Sequence, residues 1–320
     1  MKNPPLFRTV LIPALVAVAL AGCRKEEPSA GAPVPPAPQT NPLRQLFADH
    51  VAQATQHYTI NTDNGPAFVQ GAHGLLATFG QHAFRKADGS TATGPVDIAL
   101  VEALNVGDML WLNKQTVGLG NGQMSLLVSG GQFRLAATQN GEALTLAPGG
   151  SHIQVPASGT PDPQMALFSG TEQGDGTMLW NPWATNPLAP GAIDSSGYYS
   201  FPNDSLGWIN CDYFYGGPEP LTVVQVTCPP TCDHANTFVW LVFPAINSIT
   251  NLGGGTGHVF ATNAGYMLPV GLAITVVALA EIDGAYYSSF TDAVVADGMN
   301  LPISMQATTL EQFAVDAGGL

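Results

Sequence analysis

After Arg134 the chain contains no lysine and no arginine, yet residues 135–320 hold fifteen of its 23 acidic residues. With no basic residue of its own, this half is expected to do without acid–base ion pairs. Each carboxylate there has to be solvated, capped by backbone N–H groups or bound to a cation. Solvated surface acids on a secreted protein are the simplest reading, since no D-x-[DN]-x-[DN]-G calcium loop occurs. The same imbalance argues against nucleic acid as a partner, because phosphate backbones are bound by Lys and Arg displacing counterions.

Charged residues are sparse, at 10%, while Gly (36) and Pro (26) are abundant. Short apolar segments recur between turn signals, which predicts a mostly β fold. "VDIALVEAL", "DMLWL", "QMSLLVS", "QFRLAAT", "HIQV" and "QMALF" read as strands of a first module over residues 59–190. Asn140-Gly141 between "FRLAATQ" and "EALTL" suits a hairpin turn whose two central residues need positive φ. "LTVVQVT", "TFVWLVF", "GHVFAT", "AITVVALAE", "AYYSS" and "ISMQAT" read as strands of a second module over 204–320. The fold expected is two β-sandwich-like modules in series. They are preceded by an amphipathic helix over 43–58, with Asn41 as its cap and Pro42 in its first turn, packed on the first module. "TTLEQFA", with Thr308 and Glu311 at capping-box spacing, predicts one terminal helical turn.

The first residues are a processing signal and take no part in the fold. Lys2 and Arg8 precede an apolar run over 10–20 that is too short to span a bilayer. It ends in Leu20-Ala21-Gly22-Cys23, which resembles the lipobox of bacterial lipoproteins. The resemblance implies removal of residues 1–22 and acylation of Cys23, so that fatty chains hold the protein on a membrane without a spanning helix. Arg24 stands where the inner-membrane retention signal has Asp, so the expected location is the outer membrane. Residues 23–42, rich in proline, read as an extended tether.

Residues 71–150, from "GAHGLLATFG" through "SGGQFRLAATQNGEALTLAPG", resemble the first half of uncharacterised bacterial surface lipoproteins with a ZU5-like β-sandwich module. "LGWINCDYFY" is similar to the segment that opens their second half. "LPVGLAITVVAL" resembles transthyretin-type or carboxypeptidase-regulatory-type modules. The likeness covers most of 60–315 and implies a surface location and β-sandwich architecture, but no activity. His82-Ala83-Phe84-Arg85 and His258-Val259-Phe260-Ala261 depart from the His-Phe-Ser at which some ZU5 relatives cut themselves.

Three cysteines remain beyond Cys23. "CPPTCDH" sets Cys228 and Cys232 at a turn where a disulfide fits. A zinc site from Cys211, Cys228, Cys232 and His234 has suitable ligand types but a non-standard spacing. Cys211 reads as a small buried hydrophobe. A nucleophilic role would need a base, with His234 and His258 as the candidates, and a lowered pKa that surrounding acids oppose. G-x-S-x-G, H-E-x-x-H and P-loop signatures are absent. "GLGNG" runs into a strand, so it reads as a turn. The chain is therefore expected to be no enzyme, to use no cofactor or metal, and to have a structural or recognition role. The alternative is a hydrolase or metal-dependent site around Cys211, His234 and His258.

Aromatics crowd residues 180–215. Packing between the two modules accounts for them. The functional alternative is an exposed platform of Trp180, Trp183, Tyr198, Tyr199, Trp208, Tyr213 and Tyr215 that stacks a glycan or a surface protein.

Overall fold

The computed structural model describes residues 41–157, 159, 161–183 and 197–320. The signal segment, Cys23 and the tether up to residue 40 lie outside the described residues, as does the middle of the Gly/Pro-rich stretch, 184–196. The described fold is mostly β, and Thr40–Leu320 is one compact unit.

Helix α1, Leu43–Ala54, is shorter than the expected 43–58, because the chain turns into the strand Gln56–Ile60. Leu43 and Phe47, one turn apart, are buried on its inner face. Asn41 performs the predicted capping: its Oδ1 accepts the Leu43 N–H at 3.0 Å. Its Nδ2 donates to the carbonyls of His234 and Thr237, both at 3.2 Å. The helix is thus bound to the second half of the chain, and Phe47 packs edge-on against Phe238 and Trp240, with ring centroids 5.2 and 5.6 Å away. The helix also packs on the first half, as expected: the His50 ring stacks on Trp111 at 3.7 Å, and Leu43 and Phe47 share a core with Val101 and Ala103.

The long strand Gln123–Gln139 organises the first half. Along one edge it pairs with Val96–Ala103, which in turn carries Gln56–Ile60. Along the other it pairs with Gly207–Phe214, followed by Ala166–Glu172, Met178–Pro182 and Val117–Gly120. Val117–Gly120 hydrogen-bonds back to the start of the long strand, so five strands close into a ring. Leu127 and Phe214 fill the space beside Gly118 and Gly120, where a Cβ would stand 2.9 Å from their side chains. Those two glycines of "GLGNG" are there for packing. The turn itself is Asn121-Gly122, with φ of 52° and 78°. Asn140-Gly141 adopts the same positive φ, 52° and 83°, as its turn type requires.

The placement of Gly207–Phe214 corrects the expected boundary, which put residues 204 onward in the second module. The strand lies between the long strand and Ala166–Glu172 of the first half. Tyr198–Asn203 likewise pairs with Ser151–Pro156 in a four-stranded sheet that also holds Leu76–Phe79 and Ala67–Gln70.

The second half is centred on Ser248–Asn251, Thr237–Phe243, Ala273–Ile282, Ala285–Val294 and Gln306–Thr308, paired antiparallel in that order. Every residue of Thr237–Phe243 is buried. Phe238, Trp240 and Val242 join a core with α1, Trp180 and Trp208, while Val239, Leu241 and Phe243 join another with Val226 and Phe260. This sheet is therefore a middle layer between two cores, and one of those cores draws on both halves of the chain. Trp240 Nε1 donates to Asn113 Oδ1 at 2.9 Å, and the Thr116 N–H to the Ile249 carbonyl at 2.9 Å, across the same junction.

Helix α2, Val106–Trp111, takes in most of "DMLWL", expected as a strand, and is capped by Asn105, whose side chain accepts the Asp108 N–H. Helix α3, Leu310–Gly318, is longer than the single turn expected, and its cap is Thr309, one residue after the predicted Thr308. Glu311 occupies its first turn, where hydrogen bonds from its own backbone N–H and from the Thr309 side chain lower its pKa.

Candidate functional site

The structure does not bring Cys211, His234 and His258 together. Cys211 is 0% exposed in the core between the large sheet and the four-stranded one. His234 lies in the other half, its Nε2 within 3.2 Å of the Val259 carbonyl and its ring 4.2 Å from that of Phe260. His258 is exposed, and its carbonyl accepts the Cys228 N–H. Burial pushes the Cys211 thiol well up, and the neighbouring Asp212 adds to the shift. A thiol held this way is not a thiolate nucleophile at neutral pH.

Cys228 and Cys232 are both buried in the core beneath Phe260 and are free thiols, so the expected bridge is open. Burial, with Cys232 nearby, pushes the Cys228 thiol up to about 12. Among the described residues no group of three His, Cys, Asp or Glu side chains is placed to hold a metal ion.

The aromatic platform is not assembled. Trp180, Tyr199 and Trp208 are buried, and Trp183, Tyr198, Tyr213 and Tyr215 are half-buried. Trp183 and Tyr213 pack on one core and Tyr215 on another, so the seven do not share one face.

The feature that does gather polar side chains is a cleft beneath α1. On one side stand Ala48 and Val51 of α1, and on the other the hairpin tip of residues 172–177. This cavity has a volume of about 370 Å³. A second, of about 270 Å³, lies beyond Arg44 and Asp175, which line both. It reaches His234, Asn251 and the glycines 253 and 255. The two form one groove on either side of Arg44.

Several polar groups in the groove are held by protein. Lys114, 3% exposed, donates to Glu172 Oε1 and to the Gly176 carbonyl, both at 3.0 Å, and its ammonium lies 5.6 Å from the Trp208 ring centroid. A carboxylate after Arg134 does therefore, against expectation, pair with a basic side chain from before it. Burial lowers its pKa, and Glu172 acts against that shift. Asn113 adopts φ 53°, and its Oδ1 is taken by Trp240 Nε1. Its Nδ2 lies 3.9 Å from where a Cβ on Gly176 would stand. Asp175 Oδ1 accepts from the Thr177 N–H and hydroxyl, which fixes the hairpin tip. Arg44 Nη1 donates to the Gly174 carbonyl at 3.3 Å across the mouth.

Sequence reasoning missed this groove because its members come from four separated segments, none with motif spacing. One signal was present: the body has few cations, and Lys114 sits in "WLNKQT" between residues that become buried.

A second polar cluster lies at a bulge in the large sheet, where Gly130 and Gly131 face Cys211. Asp212 is 0% exposed; Asn210 Nδ2 donates to its Oδ2, and its Oδ1 has no hydrogen-bond partner among the described residues. Burial holds its carboxyl well above the usual carboxylate range, against the pull of the Ser129 hydroxyl and the Gly130 N–H.

No protein-family model and no curated protein matches the chain. Among the described residues no helix is long and apolar enough to cross a membrane, which leaves strand-built spans unaddressed.

Proposed function

We propose that the chain is a bacterial lipoprotein, anchored at the outer membrane through acylated Cys23, with a structural or recognition role at the cell surface and no catalysis of its own. The β-rich body is read as related to the ZU5-like and transthyretin-like modules of surface lipoproteins. Its partners are the membrane through the anchor and a glycan or surface protein, not nucleic acid.

The observation that carries the recognition reading is the groove around Arg44. It is lined by hydrogen-bonding groups several of which are held in place by protein partners, the arrangement that lowers the entropic cost of binding. The raised pKa of Cys211 supports the non-catalytic side of the reading. The anchor rests on Leu20-Ala21-Gly22-Cys23 and the proline-rich segment after it.

The test of the anchor is intact-protein mass spectrometry on the full chain expressed in a Gram-negative host. Wild type should be recovered from membranes beginning at residue 23 with acyl mass added, and Cys23→Ala should lose that mass and leave the membrane fraction. Unmodified wild type in the cytosol with residues 1–22 attached would overturn the proposal.

A further inference from the structure

We infer that the groove around Arg44 binds an uncharged, hydroxyl-rich ligand, a short oligosaccharide; this deepens the recognition reading and rests on it. Charge cannot be the selector there. Arg44 and Lys114 face Glu172 and Asp175, so the lining is formally balanced. Lys114 is already committed to Glu172 and the Gly176 carbonyl. Outside the groove, residues 135–320 carry acids and no basic side chain. An anion is repelled on approach, and a cation is drawn equally to much of the surface.

What sets the groove apart is a mixture of fixed donors and acceptors. Asn113, Arg44, Glu172 and Asp175 line the larger cavity, and Asn251 lines the smaller one with Arg44 and Asp175, so amide and guanidinium donors stand among amide and carboxylate acceptors. Glycines at 174, 176, 253 and 255 leave the backbone beside them uncovered. A hydroxyl donates once and accepts twice, so a row of hydroxyls matches such a lining without any net charge. The Ala48 and Val51 side of α1 supplies the apolar surface on which the C–H face of a sugar ring rests. A peptide in extended form is a poorer fit, because the walls are a helix and a turn and neither presents a free strand edge. The volume on the α1 side of Arg44, about 370 Å³, falls in the range of small-ligand sites, roughly 300–1,000 Å³, and the neighbouring one, about 270 Å³, lies just below it.

Gly174 makes the inference testable without disturbing the fold. A Cβ there meets nothing within 4 Å, and its φ is not positive, so Gly174→Leu adds bulk at the mouth without backbone strain. The full-length protein in detergent is probed by saturation-transfer NMR and titration with maltotriose, cellotriose and chitotriose. Trigalacturonate and an alanine-rich tetrapeptide serve as the charged and peptide probes. At least one neutral trisaccharide should bind, and Gly174→Leu and Arg44→Met should each weaken it about tenfold or more at unchanged thermal stability. Neutral-sugar binding that is equal in both variants overturns the site. Tighter, Gly174→Leu-sensitive binding of trigalacturonate or the tetrapeptide overturns the ligand class and leaves the recognition reading standing. No binding by any probe removes both.

Discussion

Lys114 is 3% exposed and Asp212 is 0% exposed, but only the lysine has an opposite charge beside it. Lys114 comes before the point where basic residues end, and its ammonium has Glu172, a carbonyl and an aromatic face. Asp212 comes after it, and the groups that lower its pKa are a hydroxyl and one backbone N–H. Burying an ionised carboxylate on those terms costs several kcal/mol, so the group stays protonated. The comparison teaches two ways in which this chain buries an ionisable group: Lys114 is paired with a carboxylate, and Asp212, with no cation beside it, keeps its proton.

The largest expected effect is on the pH dependence of stability through Asp212. Its folded pKa is raised, so the native state holds a proton that the unfolded chain releases. The stability this supplies is fully present below the unfolded carboxyl value and is lost as pH rises toward the folded value, by about 1.4 kcal/mol per pH unit. Asp212→Asn keeps the shape and removes this slope. Guanidinium unfolding of both proteins from pH 4.5 upward measures it. Equal slopes would mean that Asp212 is ionised in the folded protein, and the contrast with Lys114 would collapse.

The residue beside it sharpens the picture. Cys211 faces the apolar core while Asn210 and Asp212 make the polar contacts of the same strand. Cys211→Ser buries a hydroxyl among apolar groups and should cost about 1–3 kcal/mol. In wild type, Cys211 should resist alkylation until the protein unfolds. Rapid labelling of the native protein at Cys211 would contradict its place in the core.

Much of this was visible in the sequence at the level of single elements. The Asn140-Gly141 hairpin, the Asn41 cap and the strand content follow from local chemistry that tertiary contacts did not override. How the layers stack was written less directly. "TFVWLVF" and "AITVVALA" have no polar alternation, and a strand with one face in water would show it. That absence was the sign of a sheet buried on both sides, which joins the halves that turn signals seemed to separate. The ring closure depends on Gly118 and Gly120 having no side chain where Phe214 packs, and no local rule marks a glycine as room for a residue nearly a hundred positions away. The groove was illegible for the same reason: Arg44, Lys114, Glu172 and Asn251 are neighbours only after those layers form.

On the Lys114 side the pH effect has the opposite sign. Its folded pKa is lowered, so between that value and the unfolded value of about 10.4 the unfolded chain binds more protons. Stability should therefore rise with pH through that alkaline window. Lys114→Met keeps most of the buried stem and should abolish the rise. Thermal unfolding from pH 8.5 to 10.5 decides it, and a rise that persists in the variant would assign the effect elsewhere.

The smallest effect expected is also the most discriminating. Glu172 is paired with Lys114, but its own side chain is 53% exposed, so water already screens much of the attraction. Glu172→Gln should cost no more than about 1 kcal/mol, in the range of exposed pairs. It should also move the alkaline rise of Lys114 to lower pH, since Glu172 is what resists the effect of burial on that amine. A small loss with a shifted limb means that the Gly176 carbonyl and the Trp208 face hold the cation largely by themselves. A loss of several kcal/mol would mean that they do not. Lys114 would then depend on its carboxylate as wholly as Asp212 depends on its proton, and the two buried charges would be one case.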